Sequence, residues 1–297
     1  MSARRAPVPS LAGAAGQGPQ PAPPGAGKTH GEALAAARRR IDRLDARLLL
    51  QYASGCTHAD LLARPETALD ASAWAQFEHW VERRAGGEPL AYLVGEAEFR
   101  SRVFRVSPAV LIPRPDTEVL VEQALRRLPG KESPTVLDLG TGSGIVAVSL
   151  ALECPAARVV AVDISPPALA VAAGNAARLG AAIECLAGDW YAPLAGRRFD
   201  LIVANPPYIA ADDPHLAGDG LPFEPPEALT DGGDGLGCLR RIVAGAAAHL
   251  RPGGWLLLEH GHEQGAACRN LLSAAGLQAA FTHPDLAGSD RVSGAHL

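Results

Sequence analysis

The sequence has few cysteines and no cysteine pair. Cys56, Cys154, Cys185, Cys238 and Cys268 are scattered, odd in number, and never in CxxC spacing. That argues against a disulfide framework or a zinc site and for a reducing compartment. No apolar run reaches the roughly 18 residues that crossing a membrane requires. An excess of positive charge is missing too: the formal net charge is −5. Domains that coat nucleic acid usually carry a basic balance, so the count argues against one, although a local basic groove stays open. Lysine is nearly absent and arginine carries almost all the positive charge, which we read as coding bias rather than chemistry. What remains is a soluble globular composition, 47% hydrophobic and 20% charged over 297 residues. That length suffices for a sizeable core and more than one domain.

Residues 1–30 are rich in Ala, Pro and Gly, show no hydrophobic period and read as a disordered extension. Arg4, Arg5 and the lack of acidic residues raise the question of a transit peptide. The prolines would break its amphipathic helix, so a plain extension is expected. From Glu32 onward, Leu34, Ala37, Ile41, Leu44 and Leu48 recur at helical spacing. Thr57 and Asp70 are candidate caps of two further helices, the second ending at Gly86 and Gly87. A small helical domain is thus expected over 31–87, with Trp74 and Trp80 in its core. Segments 96–99 and 103–106, around Arg100-Ser101-Arg102, read as a β-hairpin within a linker over 88–112. Pro113 and Pro115 bracket Arg114 and hold it extended before a helix. This stretch is equally a rigid linker or a stiff rim beside a site.

Over 113–297 the chain alternates strand and helix, which means a parallel sheet with helices on both faces. The organising stretch is TVLDLGTGSGIVAV at 135–148. It reads as a strand, a glycine turn (Gly140, Thr141, Gly142, Ser143, Gly144) and a helix whose free N–H groups and positive dipole end face a ligand. Three more strands end at Asp163, at Asp189-Trp190 and at Asn205, so four strand ends converge where such sheets bind ligands. Asp163 lies 19 residues after Gly144, placed to accept hydrogen bonds from ribose hydroxyls. That alone suits NAD as well as S-adenosylmethionine, but the glycines do not follow the NAD spacing GxGxxG. Trp190 is placed either to stack near an adenine or to cover the sheet edge. The Pro/Gly/Asp-rich segment 209–235 is too long for an ordinary connection and is expected to be functional or mobile.

Asn205-Pro206-Pro207-Tyr208 is the sharper motif. The nitrogen of an amide or nucleobase amino group is a poor nucleophile because its lone pair is delocalised. Peptide resonance resists rotation by about 18–20 kcal/mol. A site that accepts hydrogen bonds from both N–H groups favours a pyramidal nitrogen with its lone pair facing a methyl donor. The Asn205 carboxamide oxygen and the Pro206 carbonyl supply two such acceptors, and Tyr208 can pack against the flat group. These acceptors bind the transition state more strongly than the ground state, because positive charge grows on the nitrogen during attack. His260-Gly261-His262 reads as a loop at a strand end rather than a metal site.

At these residues the chain resembles class I S-adenosylmethionine-dependent methyltransferases, and more narrowly the protein-(glutamine-N5) methyltransferases of peptide chain release factors. The resemblance covers 31–297 and rests on EPLAYLVGEAEF (88–99), LIPRPDTEVLVE (111–122), DLGTGSG (138–144), NPPYI (205–209), EPPEALTDGGDGL (224–236) and LEHG (258–261). It implies an α/β fold: a seven-stranded Rossmann-like methyltransferase domain, a small N-terminal helical substrate-recognition domain and a linking β-hairpin. It implies cofactor contacts along 140–144 and at Asp163, Trp190 and Asn205, with substrate contacts at Asn205, Pro206, Pro207 and Tyr208. The implied substrate is the glutamine of the release-factor GGQ tripeptide. The expected enzyme is a cytoplasmic monomer that uses S-adenosylmethionine, binds no metal, and contacts neither nucleic acid nor membrane. The alternatives are a ribosomal-protein glutamine methyltransferase and a nucleic-acid amino-group methyltransferase.

Overall fold

The computed structural model describes residues 28–297 apart from Pro129, Lys131 and Asp219. The described chain forms two units, one ending at His79 and the other running from Trp80 to Leu297. Most of the expected extension, residues 1–27, lies outside the described residues.

The first unit is helical: α1 (His30–Ala37), α2 (Arg43–Ser54), α3 (His58–Ala63) and the start of α4 (Ala71–Ala85). Here the expectation of disorder through residue 30 needs correction. Thr29 and Glu32 form a reciprocal capping box, with the Thr29 N–H donating to Glu32 Oε2 at 2.9 Å. The two bonds satisfy donors that a bare helix start would leave to water, so the helix begins at His30. The periodic run from Leu34 to Leu48 is two helices, not one. Asp42 breaks it, its carboxylate accepting from Leu44 N at 2.7 Å to start α2. Asp70 caps α4 as expected, accepting from Ala73 N at 2.7 Å. Ala33, Leu49, Leu50 and Phe77 are buried. Trp74 is only half-buried, with the Lys28 ammonium 4.6 Å above its ring.

In the second unit a short helix α5 (Leu90–Val94) precedes the hairpin β1 (Glu96–Phe99) and β2 (Arg102–Arg105). Its turn residues Arg100 and Ser101 both have positive φ, 48° and 56°, the twist a two-residue hairpin turn requires. Arg100 offsets that strain with a bidentate pair to Glu153 at 2.8 and 2.9 Å. The chain continues as α6 (Thr117–Leu125), β3 (Thr135–Leu139), α7 (Ile145–Glu153), β4 (Arg158–Asp163), α8 (Pro166–Leu179), β5 (Ile183–Ala187) and β6 (Phe199–Ala204). It closes with α9 (Gly237–His249), β7 (Leu250–Glu259), α10 (Gly265–Ala274), β8 (Gln278–Pro284) and β9 (Asp290–His296).

Seven strands form one sheet in the order β5-β4-β3-β6-β7-β9-β8, parallel except that β9 runs against both neighbours. Side chains alternate between its faces. Val136, Leu201, Val203 and Leu257 pack into one core with α6 and α7. Leu137, Leu139, Ile202 and Leu258 pack into the other with α9 and α10. Each fully buried Val or Leu contributes about 1.5–3 kcal/mol, which makes this two-faced burial the main support of the fold. From β3 the chain winds outward through β4 to β5, then returns to place β6 on the other side of β3. The carboxyl ends of β3 and β6 therefore flank the point where winding reverses, and a crevice opens there.

Candidate active site

A cavity of about 260 Å³ lies at that crevice, within the second unit. Gly140, Thr141, Gly142, Ser143, Asp163 and Trp190 line it, as do Asn205 and Pro207. Gly144, Pro206 and Tyr208 do not.

The glycine turn is shaped by backbone that only glycine adopts readily. Gly140, Gly142 and Gly144 have φ of 71°, 54° and 82°. A Cβ on Gly144 would stand 3.0 Å from Ala172 Cβ, so this glycine serves close packing of α8 on the turn. A Cβ on Gly142 would meet nothing within 4 Å. Beneath the turn, Asp138 Oδ2 accepts from Thr141 Oγ1 at 2.7 Å and from Ala147 N at 3.1 Å. One helix-end N–H that the sequence argument reserves for a ligand is thus already taken. Burial pushes the Asp138 carboxyl up to about 7, against the pull of those two hydrogen bonds.

Asp163 sits at the end of β4 with both oxygens engaged. Oδ2 accepts from Gly142 N at 2.8 Å and Oδ1 from Ser165 N at 2.9 Å. Trp190 holds a left-handed backbone, φ 48°, and its ring passes 3.4 Å from where a Gly140 Cβ would be. Strain of this kind, about 1–3 kcal/mol, gathers at functional sites. Asp189, next to it, is paired with Arg241 of α9, and both line the cavity.

Asn205 directly follows β6, and its Nδ2 donates to Thr117 Oγ1, at the start of α6, at 3.2 Å. Pro206 is buried. The Tyr208 hydroxyl donates to Glu259 Oε1 at 3.4 Å, and its backbone carbonyl accepts from Gln264 Nε2 at 2.9 Å. The expected packing of Tyr208 on a flat substrate group is therefore not prefigured on the cavity wall. Burial, with the Glu259 carboxylate second, raises the Tyr208 phenol well above its ordinary value.

Arg114 lines the cavity, so of the two readings of the proline-bracketed stretch the rim is the one observed. Arg114 is ion-paired with Glu224, whose Oε2 accepts from Ile112 N at 2.9 Å. The Tyr92 hydroxyl donates to Val110 O at 2.6 Å from the other side. The two ends of the long 209–235 segment are tied down as well. Ile209 N donates to Leu229 O at 3.0 Å, and Asp231 accepts from the backbone of Gly233, Gly235 and Gly237. Pro225, Glu227 and Thr230 of this segment reach the cavity.

Among the described residues no group of three or more His, Cys, Asp and Glu could hold a metal ion. His260 instead bonds Ser293 Oγ through Nε2 at 2.8 Å, and burial lowers its pKa.

A release factor glutamine methyltransferase of Bordetella pertussis is 52% identical over 258 residues, covering 86% of this chain and 96% of the relative. The chain belongs to the release factor glutamine methyltransferase family. Relatives of the same name in Moorella thermoacetica and Salmonella typhimurium are 50% and 46% identical, over 87% and 84% of this chain and 92% and 91% of theirs. The PrmC N-terminal domain model matches residues 30–95, and the methyltransferase small domain model matches 116–236. The second unit has the class I methyltransferase fold. A T. thermophilus 16S rRNA methyltransferase solved with AdoMet and guanosine matches at TM-score 0.51 and 25% identity, over 68% of this chain and 49% of that one. The family assignment therefore rests on sequence, and the wider likeness on the sheet and its crevice.

Sequence reasoning missed Thr117, Glu224 and Glu259 as site residues. Each meets its partner only through the fold. The signal that was there is that all three lie in stretches quoted for the family resemblance, 111–122, 224–236 and 258–261.

Proposed function

We propose that this chain transfers a methyl group from S-adenosylmethionine to the side-chain amide nitrogen, N5, of the glutamine in the release-factor GGQ tripeptide. The observation that carries this reading is the Asn205 carboxamide. Its nitrogen donates to Thr117, its oxygen accepts no hydrogen bond from the described residues, and the residue lines the cavity.

The residues present fit S-adenosylmethionine. Gly140 and Gly142 give a turn without Cβ atoms, Asp163 offers remaining lone pairs to ribose hydroxyls, and Trp190 forms an apolar wall. Bound there, the cofactor supplies an electrophilic methyl on a positively charged sulfur. Asn205 Oδ1 would accept one N–H of the glutamine amide from the cavity wall and draw its lone pair out of conjugation; Pro206, next to it but off that wall, would have to turn its carbonyl toward the second. Asn205 and the turn that follows it would hold the nitrogen facing the donated methyl, and positioning of this kind would leave little further activation to supply. The cofactor would supply the methyl and leave as a neutral thioether, and the methylated nitrogen would lose its proton to water, so no residue of this chain need act as a base. Arg114 and Pro207 border the entry, and Tyr208 supports the turn from behind. A glutamine flanked by glycines has the bare backbone such an entry admits. The reading places the enzyme in the cytoplasm, as a monomer acting on protein without touching nucleic acid.

One assay tests it: purified release factor, ribosomal protein and tRNA offered in parallel with labelled S-adenosylmethionine. Label in the release factor alone supports the reading. Label in ribosomal protein or tRNA replaces it with the corresponding alternative.

A further inference from the structure

Asn175 lies in α8, is fully buried, and uses its carboxamide in three directions. Its Oδ1 accepts from Arg105 N at 2.7 Å, and its Nδ2 donates to Arg105 O and to Ser143 O, both at 2.9 Å. Arg105 is the last residue of β2, and the next N–H, of Val106, donates to Gly95 O at 3.0 Å. The Arg105 groups therefore face away from β1, and Asn175 answers them as a third strand would. Ser143 belongs to the glycine turn and lines the cavity. Elsewhere the turn holds to β4 and to itself: Gly140 N and Thr141 N donate to Val162 O, and Gly144 N to Thr141 O. Through Ser143 it holds to α8 and, by the same amide, to the hairpin.

The carboxamide has two N–H donors, and both are used. Flipped by half a turn, it would set its oxygen against two carbonyls and its nitrogen against the Arg105 N–H, so only one orientation works. If the glycine turn shifts, the Ser143 carbonyl loses its donor. If the hairpin shifts, Arg105 loses both partners. Either shift leaves polar groups of a fully buried amide unpaired, which is costly. The hairpin is held at its other end as well, where Arg100 and Arg102 pair with Glu153 of α7. Beyond it Val106, Val110 and Ile112 pack with Ala168 of α8 and lead to Arg114 on the cavity wall. One side chain thus joins the cofactor turn to the strand from which the rim begins.

We propose that Asn175 is a positioning residue for cofactor binding, coupling the hairpin to the glycine turn through the Ser143 carbonyl. The proposal rests on the reading of that turn as the S-adenosylmethionine site and adds what holds it in register with the rim. Asn175 is not on the cavity wall and acts through Ser143. By linkage, a cofactor that orders the turn also orders the hairpin, and a loosened hairpin weakens the cofactor by the same factor.

Two measurements on the full chain test it. The first is amide hydrogen exchange with and without saturating S-adenosylmethionine. Exchange of the Val106 N–H should slow by about 5–10-fold with cofactor in the parent, a coupling of ordinary size, and should not respond in Asn175→Ala. The second is calorimetric cofactor affinity in Arg100→Asn, Asn175→Ala and the pair. Asparagine suits the positive φ of this position but is too short to repeat the pair with Glu153. Arg100→Asn should weaken cofactor binding by about 5–10-fold in the parent, with kcat at saturating cofactor kept. In the Asn175→Ala background it should cost less than about twofold. A purely structural Asn175 would lower the melting temperature and leave the two affinity losses additive. Cofactor-independent Val106 exchange in the parent, equal slowing in Asn175→Ala, or full additivity of the affinity losses would overturn the proposal. If Asn175→Ala fails to fold, the parental exchange and the Arg100→Asn affinity decide. A parent that binds no S-adenosylmethionine would instead sink the cofactor reading, and this proposal with it.

Discussion

Gly142 donates its backbone N–H to Asp163 Oδ2 at 2.8 Å, across 21 residues of sequence. With Ser165 N on the other oxygen, Asp163 pins the glycine turn to the loop after β4. It is both part of the cavity wall and the clamp that shapes it.

Asp163→Ala should therefore weaken S-adenosylmethionine binding and also lower the melting temperature. A hydrogen bond to a charged group is worth about 1.5–3 kcal/mol, which is roughly ten- to a hundredfold in affinity. Calorimetry on the folded variant checks it. Unchanged cofactor affinity would remove Asp163 from the binding site.

Gly144 and Gly142 should separate stability from binding. Both have positive φ, and alanine in the left-handed region costs about 1–2 kcal/mol. Only Gly144 adds a clash, with Ala172 atoms at 3.0 and 3.1 Å. Gly144→Ala should lose more melting temperature, at roughly 2–4 °C per kcal/mol. Gly142→Ala, whose Cβ enters open space on the cavity wall, should lose cofactor affinity instead. Equal melting temperatures with parental affinity in both would contradict this.

The buried Asp138 carboxyl makes a signed pH prediction. Its pKa stands at about 7 in the folded chain against an ordinary 3.8. Between those values the folded state holds a proton that the unfolded state has released. The stability this group contributes is thus fully present below about pH 4 and lost as pH rises through about 7. Asp138→Asn removes the titration while keeping an oxygen for Thr141 and Ala147. Relative to the parent, it should gain stability on going from pH 5 to pH 8, measured by urea unfolding. A difference independent of pH would show that Asp138 is ionised throughout.

Glu224→Ala should loosen the rim. The Glu224 side chain is 1% exposed and serves both Arg114 and the Ile112 N–H. Losing it leaves a buried donor unsatisfied, at about 1–3 kcal/mol. KM for the release factor should rise more than cofactor affinity falls, and Glu224→Gln should be milder. Parental KM in Glu224→Ala would mean that this rim does not meet the substrate.

Much of this site is legible in the sequence because its signals are local. The glycine turn, Asp163 and Asn205 each follow a short apolar strand, and a parallel sheet brings strand ends together whatever else the chain does. The capping signals at Thr57 and Asp70 are local as well, and the helices start where those residues predict. What escaped is long-range or depends on a competition between short signals. Thr117 meets Asn205 across 88 residues and Ile112 meets Glu224 across 112, and no periodicity encodes such pairs. The run from Leu34 to Leu48 keeps helical spacing through a break that Asp42 imposes by capping. Tyr208 stands in the motif that suggested it should touch substrate, yet its hydroxyl is turned to Glu259.

The central claim is that Asn205 holds the release-factor glutamine for methyl transfer. Mass spectrometry of the release factor after incubation with parent and Asn205→Ala enzymes tests it most directly. The account predicts one added methyl on the GGQ glutamine side chain. It also predicts that Asn205→Ala turns over about 10²–10³-fold more slowly, by analogy with losing one oxyanion-hole donor, while binding the cofactor nearly as well. A methyl found elsewhere, or parental turnover in Asn205→Ala, would contradict it.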